Sequence, residues 1–105
     1  GTLALCLNYG GQQEIVDAAK KLITSGVDPE TITPEIFTQN LYAPNVPELD
    51  LLIRSSGEQR TSGFMLWRAA YAELMFIDKK WPDFTEADLD AALAEYQARQ
   101  RRFGK

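Results

Sequence analysis

Leu49-Asp50-Leu51-Leu52-Ile53, followed without a break by Arg54-Ser55-Ser56-Gly57-Glu58-Gln59-Arg60-Thr61-Ser62, decides how the rest of the chain is read. The first five residues are a short apolar run, bounded upstream by Pro47 and downstream by a polar loop over 54–60, which predicts a buried strand. A second such run is Glu73-Leu74-Met75-Phe76-Ile77, and a third, Thr2-Leu3-Ala4-Leu5-Cys6-Leu7, opens the chain. Helical patterns lie between them. Over 13–25, Ile15, Val16, Ala18, Ala19, Leu22 and Ile23 form one stripe, and Gly26 stands where a left-handed cap ends a helix. Thr33-Pro34-Glu35 reads as the N-cap, first-turn proline and first-turn acid of a short helix reaching Leu41, ahead of Pro44. Residues 62–70, with Phe64, Met65, Trp67 and Ala69, are expected to be helical. Trp81-Pro82-Asp83-Phe84 predicts a turn. Thr85 with Asp88 three residues on predicts a capping box for a last helix that buries Leu89, Ala92, Leu93 and Tyr96. That helix ends in Arg99, Arg101 and Arg102, charges suited to a helix C-terminus.

Strands alternating with helices imply an α/β fold, a parallel sheet layered with flanking helices. Three strands make a small sheet whose outer strands need cover, and the chain opens directly on a core strand. The expectation is that residues 1–105 form the C-terminal half of a single larger domain, since this length corresponds to one domain or part of one.

Composition narrows the chemistry. Eleven Lys+Arg against fifteen Asp+Glu give a net charge of −4, which argues against nucleic-acid binding through phosphate neutralisation. No apolar run approaches the roughly 18 residues of a membrane span. A hydrophobic content of 45% excludes a disordered tail. The one cysteine, Cys6, excludes an internal disulfide and a multi-cysteine zinc site, and fits a reducing compartment. There is no histidine, so Ser-His-Asp, Cys-His and histidine general-base catalysis are excluded. Carboxylates, arginines, hydroxyls and a hard metal remain.

Parallel sheets bind ligands beyond the carboxyl ends of their strands. In the 54–62 run, Arg54 and Arg60 flank Ser-Ser-Gly-Glu, and Thr61-Ser62 opens the expected helix. Arginine forks bind phosphate oxygens bidentately, a helix N-terminus adds N–H donors, and the two hydroxyls complete a phosphate cradle. A solvated loop with a weak Arg60–Glu58 pair is the competing reading. Glu73 lies within an apolar stretch, where a carboxylate avoids burial unless paired or metal-bound. An ordinary exposed position is the other reading; beside a diphosphate, the natural partner of Glu73 is Mg2+. Asn8-Tyr9-Gly10-Gly11 either cradles an anion or simply closes a strand-to-helix turn. Arg99, Arg101, Arg102 and Lys105 read as a solvated helix end or as a contact for diphosphates or anionic lipid. Trp67, Tyr71, Phe76, Trp81 and Phe84 read as packing residues, some of them facing an apolar ligand or a partner subunit.

Taken in order, Asp50-Leu51-Leu52-Ile53-Arg54-Ser55-Ser56-Gly57-Glu58-Gln59-Arg60-Thr61-Ser62, Phe64-Met65-Leu66-Trp67, Ala70-Tyr71-Ala72-Glu73 and Trp81-Pro82-Asp83-Phe84 closely resemble the cis-prenyltransferases, above all the bacterial undecaprenyl diphosphate synthases. Asn8-Tyr9-Gly10-Gly11 with Glu14-Ile15, and Arg101-Arg102-Phe103-Gly104, match the same family, so the resemblance covers essentially the whole chain. It implies a Mg2+-dependent homodimeric enzyme that adds isopentenyl diphosphate to an allylic diphosphate, usually farnesyl diphosphate, with cis double bonds. The product is an undecaprenyl-type lipid carrier for cell-wall synthesis. By the same resemblance Arg54, Arg60, Thr61 and Ser62 hold the isopentenyl diphosphate. Glu73 contributes to Mg2+ binding across the dimer interface, with Glu58 as an auxiliary near the metal and the arginines. No catalytic residue is expected in this half, because the essential aspartate and the glycine-rich diphosphate loop belong to the N-terminal half. The isolated chain is accordingly expected to be inactive, and the enzyme to be cytoplasmic or membrane-associated, touching membrane through its lipid product. Two positions depart from the family: Gln12 replaces an arginine and Gly63 an asparagine. A noncatalytic partner subunit of a cis-prenyltransferase complex is the alternative, opposed by the retention of Arg54, Arg60, Ser62 and Glu73. An unrelated phosphate-binding module finds no P-loop or phosphatase motif to support it.

Overall fold

In the computed structural model, which describes residues 1–99, the chain divides into two units. The first comprises Gly1–Pro47 and Gly63–Trp67, the second Glu48–Ser62 and the chain from Arg68 onward.

In the first unit, helix α1 spans Gly11–Ser25 and ends as its sequence dictates, with Gly26 left-handed at φ 70° and its N–H donating to the Ile23 carbonyl. The buried face is rotated from the apolar stripe. It runs Gly11, Glu14, Ala18 and Leu22, while Val16 and Ile23 are 46% and 80% exposed. Two contacts turn the helix. Gly11 has no Cβ, and one placed there would lie 2.0 Å from the Gly63 carbonyl oxygen. Glu14 is almost fully buried because it is satisfied, accepting from the Tyr9 hydroxyl at 2.5 Å and the Tyr42 N–H at 3.1 Å. A buried carboxylate held this way is tolerated where an unpaired one is not. Residues 8–11 close the turn into α1, with Asn8 at φ 51°.

Helix α2, Pro34–Thr38, starts as expected, with the Thr33 hydroxyl accepting from the Ile36 N–H at 3.2 Å. It stops three residues short of the expected end at Leu41, because Asn40 and Leu41 donate instead to Phe37 and Thr38 in tight i→i+3 turns. The Trp67 indole donates to the Thr38 hydroxyl at 2.9 Å, and its ring lies 4.4 Å from that of Phe37.

Two expectations fail here. Residues 2–7 form no strand, and Leu3, Leu5 and Leu7 are 85%, 76% and 84% exposed. A strand exists only through a neighbour's N–H and C=O groups, and among the described residues the two-stranded sheet does not include this run. Residues 62–70 form turns, not a helix. Ser62, Gly63 and Met65 all have positive φ, 50°, 76° and 53°, and left-handed residues in close succession cannot share a right-handed helix. Packing of Trp67 on Phe37, and of Phe64 on Tyr9 at 5.7 Å, outweighs the local helical preference.

The second unit contains the sheet. Strands β1, Leu51–Arg54, and β2, Glu73–Phe76, pair in parallel, with Leu51 opposite Glu73 and Arg54 opposite Phe76. The α/β class and the parallel pairing are as expected; the sheet has two of the three expected strands. Leu52 and Met75 are its buried residues. Trp81–Asp83 is a single 3₁₀ turn with the Trp81 and Phe84 rings stacked at 5.3 Å. Trp81 and Tyr71 are 68% and 57% exposed, so neither is a core residue. Helix α3, Glu86–Ala98, opens on the complete Thr85–Asp88 capping box. It buries Ala92, while Leu89 and Leu93 are 42% and 43% exposed and Tyr96 is half-buried. Ala87, Ala91, Ala94 and Ala98 share one face of this helix and Leu89, Ala92, Leu93 and Tyr96 the opposite one, so no single apolar stripe dictates which face turns inward. Arg101, Arg102 and Lys105 lie outside the described residues. No helix among the described residues is long and apolar enough to cross a membrane.

Candidate functional site

The polar run leaves the carboxyl end of β1, where a parallel sheet offers its ligand sites. Three backbone hydrogen bonds fasten its start. Ile77 N–H donates to the Arg54 carbonyl at 2.8 Å, Gly57 N–H to the Ile77 carbonyl at 3.1 Å, and Ser56 N–H to the Lys79 carbonyl at 2.6 Å. Gly57 is required at its position: φ is 73°, and a Cβ there would stand 2.8 Å from Asp78 Oδ1. Ser56 and Ser62, also left-handed at 73° and 50°, hold strain of the kind that collects at functional loops.

Arg54 closes the loop. Its Nη1 donates to the Arg60 carbonyl and to Ser62 Oγ, both at 3.1 Å. Ser62 accepts that hydrogen bond, so its own O–H proton is directed elsewhere and available to an anion. Arg60 Nη1 pairs with Glu58 Oε2 at 2.7 Å, the two side chains being 66% and 41% exposed. A pair this exposed is weak, about 0–1 kcal/mol, and a multiply charged anion displaces it readily. Thr61, between Arg60 and Ser62, is half-buried. Arg54, Glu58, Arg60, Thr61 and Ser62 therefore share one loop, as their spacing suggested. The helix N-terminus expected beside them is absent, so the donors here are side chains. Two guanidinium groups and two hydroxyls on a strained loop suit a phosphate or diphosphate.

Glu73 is set apart. As the first residue of β2 it is in register with Leu51, three residues before Arg54, or about 10 Å back along the sheet at the usual strand rise. No hydrogen bond or ion pair among the described residues joins it to the 54–62 loop. Its carboxylate, a quarter exposed, has a partner that the sequence did not reveal: Arg99 Nη1 lies 3.4 Å from Glu73 Oε2. The same nitrogen donates to the Leu74 carbonyl at 2.8 Å, and Arg99 Nη2 to Glu95 Oε1 at 2.6 Å. Glu95 foremost, with Glu73 adding to it, raises the Arg99 guanidinium above its ordinary range against the opposing effect of burial. Contact between residues 26 apart leaves no spacing signal; only the arginine at the end of a predicted helix hinted at it.

Glu73 is a hard oxygen donor of the kind Mg2+ takes. Among the described residues no group of three carboxylates or cysteines is placed to hold a metal. By that donor chemistry Glu73 would offer Mg2+ a single carboxylate, and Mg2+ at phosphate sites is commonly bound by one or two carboxylates together with phosphate oxygens.

The comparisons with known proteins agree along the whole chain. The family model described as undecaprenyl diphosphate synthase matches residues 1–104. The decaprenyl diphosphate synthase of Mycolicibacterium smegmatis is 50% identical over 108 residues, covering 99% of this chain and 37% of that protein. Isoprenyl transferase 2 of Corynebacterium glutamicum is 50% identical over 107 residues, covering 98% and 44%. The crystal structure of lavandulyl diphosphate synthase from Lavandula x intermedia, in complex with dimethylallyl diphosphate, superposes with a TM-score of 0.84 at 42% identity, over 94% of this chain and 44% of that one. The chain spans less than half the length of these relatives.

Proposed function

The chain belongs to the undecaprenyl diphosphate synthase family, and from that membership we propose that it supplies the isopentenyl diphosphate site of a cis-prenyltransferase, as the C-terminal portion of one catalytic domain. The observation that carries this reading is the loop at the carboxyl end of β1 that Arg54 closes, its guanidinium donating to the Arg60 carbonyl and to the Ser62 hydroxyl.

The reaction joins two diphosphates, so each needs its own cationic pocket. Arg54 and Arg60 grip the diphosphate of isopentenyl diphosphate, and Thr61 and Ser62 donate to its remaining oxygens. Fixing that end aims the double bond at the allylic carbon, which gains positive character as its own diphosphate departs; positioning of this sort lowers the barrier chiefly through entropy. Bound Mg2+ supplies charge neutralisation for the leaving diphosphate. Glu73 is the residue of this chain suited to hold it. Because Glu73 stands at the other end of the ladder from its own loop, it serves the loop of a second copy, in keeping with a homodimer. Farnesyl diphosphate is the proposed allylic substrate, and a long undecaprenyl-type lipid carrier for cell-wall synthesis the product, made in the cytoplasm or at the membrane.

Kinetics of Arg54→Ala and Arg60→Ala in the whole protein test the assignment. Each loses a charge-assisted contact of about 1.5–3 kcal/mol, so KM for isopentenyl diphosphate rises roughly ten- to hundredfold while KM for the allylic substrate changes little. Equal effects on both substrates would remove the 54–62 loop from the isopentenyl site.

A further inference from the structure

Arg99 leaves α3 in extended conformation, with φ −77° and ψ 144°, and its guanidinium meets three acceptors from two elements. Two of them anchor it independently of Glu73: the Leu74 carbonyl at 2.8 Å and Glu95 at 2.6 Å. The nitrogen that faces Glu73 Oε2 at 3.4 Å is therefore fixed in space. Oε1 of the same carboxylate accepts no hydrogen bond among the described residues. A long acidic side chain at the start of a strand is thus held through one oxygen, with a quarter of the side chain exposed.

We infer that Arg99 is a positioning residue for Glu73, fixing the orientation of the carboxylate that would hold the divalent cation; this rests on the metal role proposed above for Glu73. A guanidinium also repels a cation, and that effect opposes the first. Glu95 at 2.6 Å compensates the charge of Arg99, and with both side chains partly exposed, at 31% and 56%, water screens what is left. Orientation therefore outweighs repulsion. Partners that orient a ligating carboxylate change metal affinity 10–100-fold when removed. Sequence position hides this role, since Arg99 belongs to the last helix and Glu73 to a strand.

Mn2+ serves as the probe, its binding to the whole protein counted by electron paramagnetic resonance with isopentenyl diphosphate present. Arg99→Met is expected to weaken Mn2+ binding about tenfold. Arg99→Lys, which keeps the charge and one donor, falls between Met and the parent. Arg99→Met added to Glu73→Gln costs nothing beyond Glu73→Gln alone, because Arg99 acts through that carboxylate. If Glu73→Gln weakens Mn2+ while Arg99→Met leaves it equal or tighter, the positioning role is overturned and the metal role stands. Additive losses in the double variant also overturn it, making Arg99 a strut of α3. If Glu73→Gln binds Mn2+ as the parent does, the metal role itself is wrong. Should Arg99→Met lower the thermal midpoint, the comparison is read from Arg99→Lys.

Discussion

Single residues set the shape of the 54–62 loop. Gly57 works because it lacks a side chain: its backbone is left-handed and Asp78 stands where a Cβ would be. Gly57→Ala is expected to cost about 1–3 kcal/mol in local strain, measured as a lower denaturation midpoint together with a higher KM for isopentenyl diphosphate. Glu58 behaves oppositely. Its pair with Arg60 is largely exposed, so Glu58→Gln should alter stability by less than about 0.5 kcal/mol in urea denaturation. A larger loss would show that the pair braces the loop. Arg54 holds the loop closed and is proposed to bind the anion as well; the two roles separate in Arg54→Lys, which keeps the charge but cannot span the Arg60 carbonyl and Ser62 Oγ with a planar fork.

Among the elements, α3 is the one whose stability is most directly set by its first turn. Thr85 accepts from the Asp88 N–H at 3.2 Å, and Asp88 Oδ2 accepts from the Thr85 N–H at 2.8 Å and from Lys79 Nζ at 2.8 Å. Thr85→Ala should cost about 1 kcal/mol, read from thermal or chemical unfolding. The Lys79 ammonium first, and the Thr85 N–H after it, hold the Asp88 carboxyl below its ordinary value. A carboxyl depressed on folding adds stability above its unfolded pKa, and that stability is lost as pH falls through the folded one. Asp88→Asn should therefore lower the thermal midpoint at neutral pH. The difference from the parent should begin to shrink below about pH 4 and close once pH passes beneath the depressed value. A difference that persists at the lowest pH would mean that the charge of Asp88 does not support the cap.

At the scale of the whole molecule, the separation of Glu73 from the 54–62 loop of its own chain carries the consequence for the proposed function. If each site takes its loop from one copy and its carboxylate from another, then Arg54→Ala and Glu73→Gln subunits, each impaired alone when isopentenyl diphosphate is held near the parent's KM, should regain part of the activity when unfolded and refolded together. Mixed dimers then contain one site with both residues intact. No recovery on mixing would place Glu73 and the loop in the same subunit's site. The 105-residue chain by itself should make no prenyl product from farnesyl and isopentenyl diphosphates, since among the described residues it offers the one proposed diphosphate site and no second one for the allylic partner. Its exposed leucines at 3, 5 and 7 should also drive self-association, visible by sedimentation and relieved when all three are replaced by serine.

What the amino-acid order determined by itself is local. The caps at Thr33 and Thr85, the left-handed stop at Gly26 and the sharing of one loop by Arg54, Glu58, Arg60, Thr61 and Ser62 all depend on neighbours a few residues apart, and the α/β class follows from the order in which such local patterns alternate, so all are legible in one dimension. Tertiary structure decided the rest. Residues 2–7 have a strand's composition, yet a strand is a property of two chain segments, and this run has no neighbour in the β1–β2 ladder. Residues 62–70 have a helix's pattern, yet three left-handed residues and the packing of Trp67 against Phe37 redirect them. The buried face of α1 turned toward Gly11 and Glu14 because Gly63, Tyr9 and Tyr42 supply the close contact and the donors there. Glu73 read as a carboxylate among apolar residues; only folding showed that Arg99 holds it, because an ion pair across 26 residues is made by the approach of α3 to β2 and leaves no trace in the spacing of either.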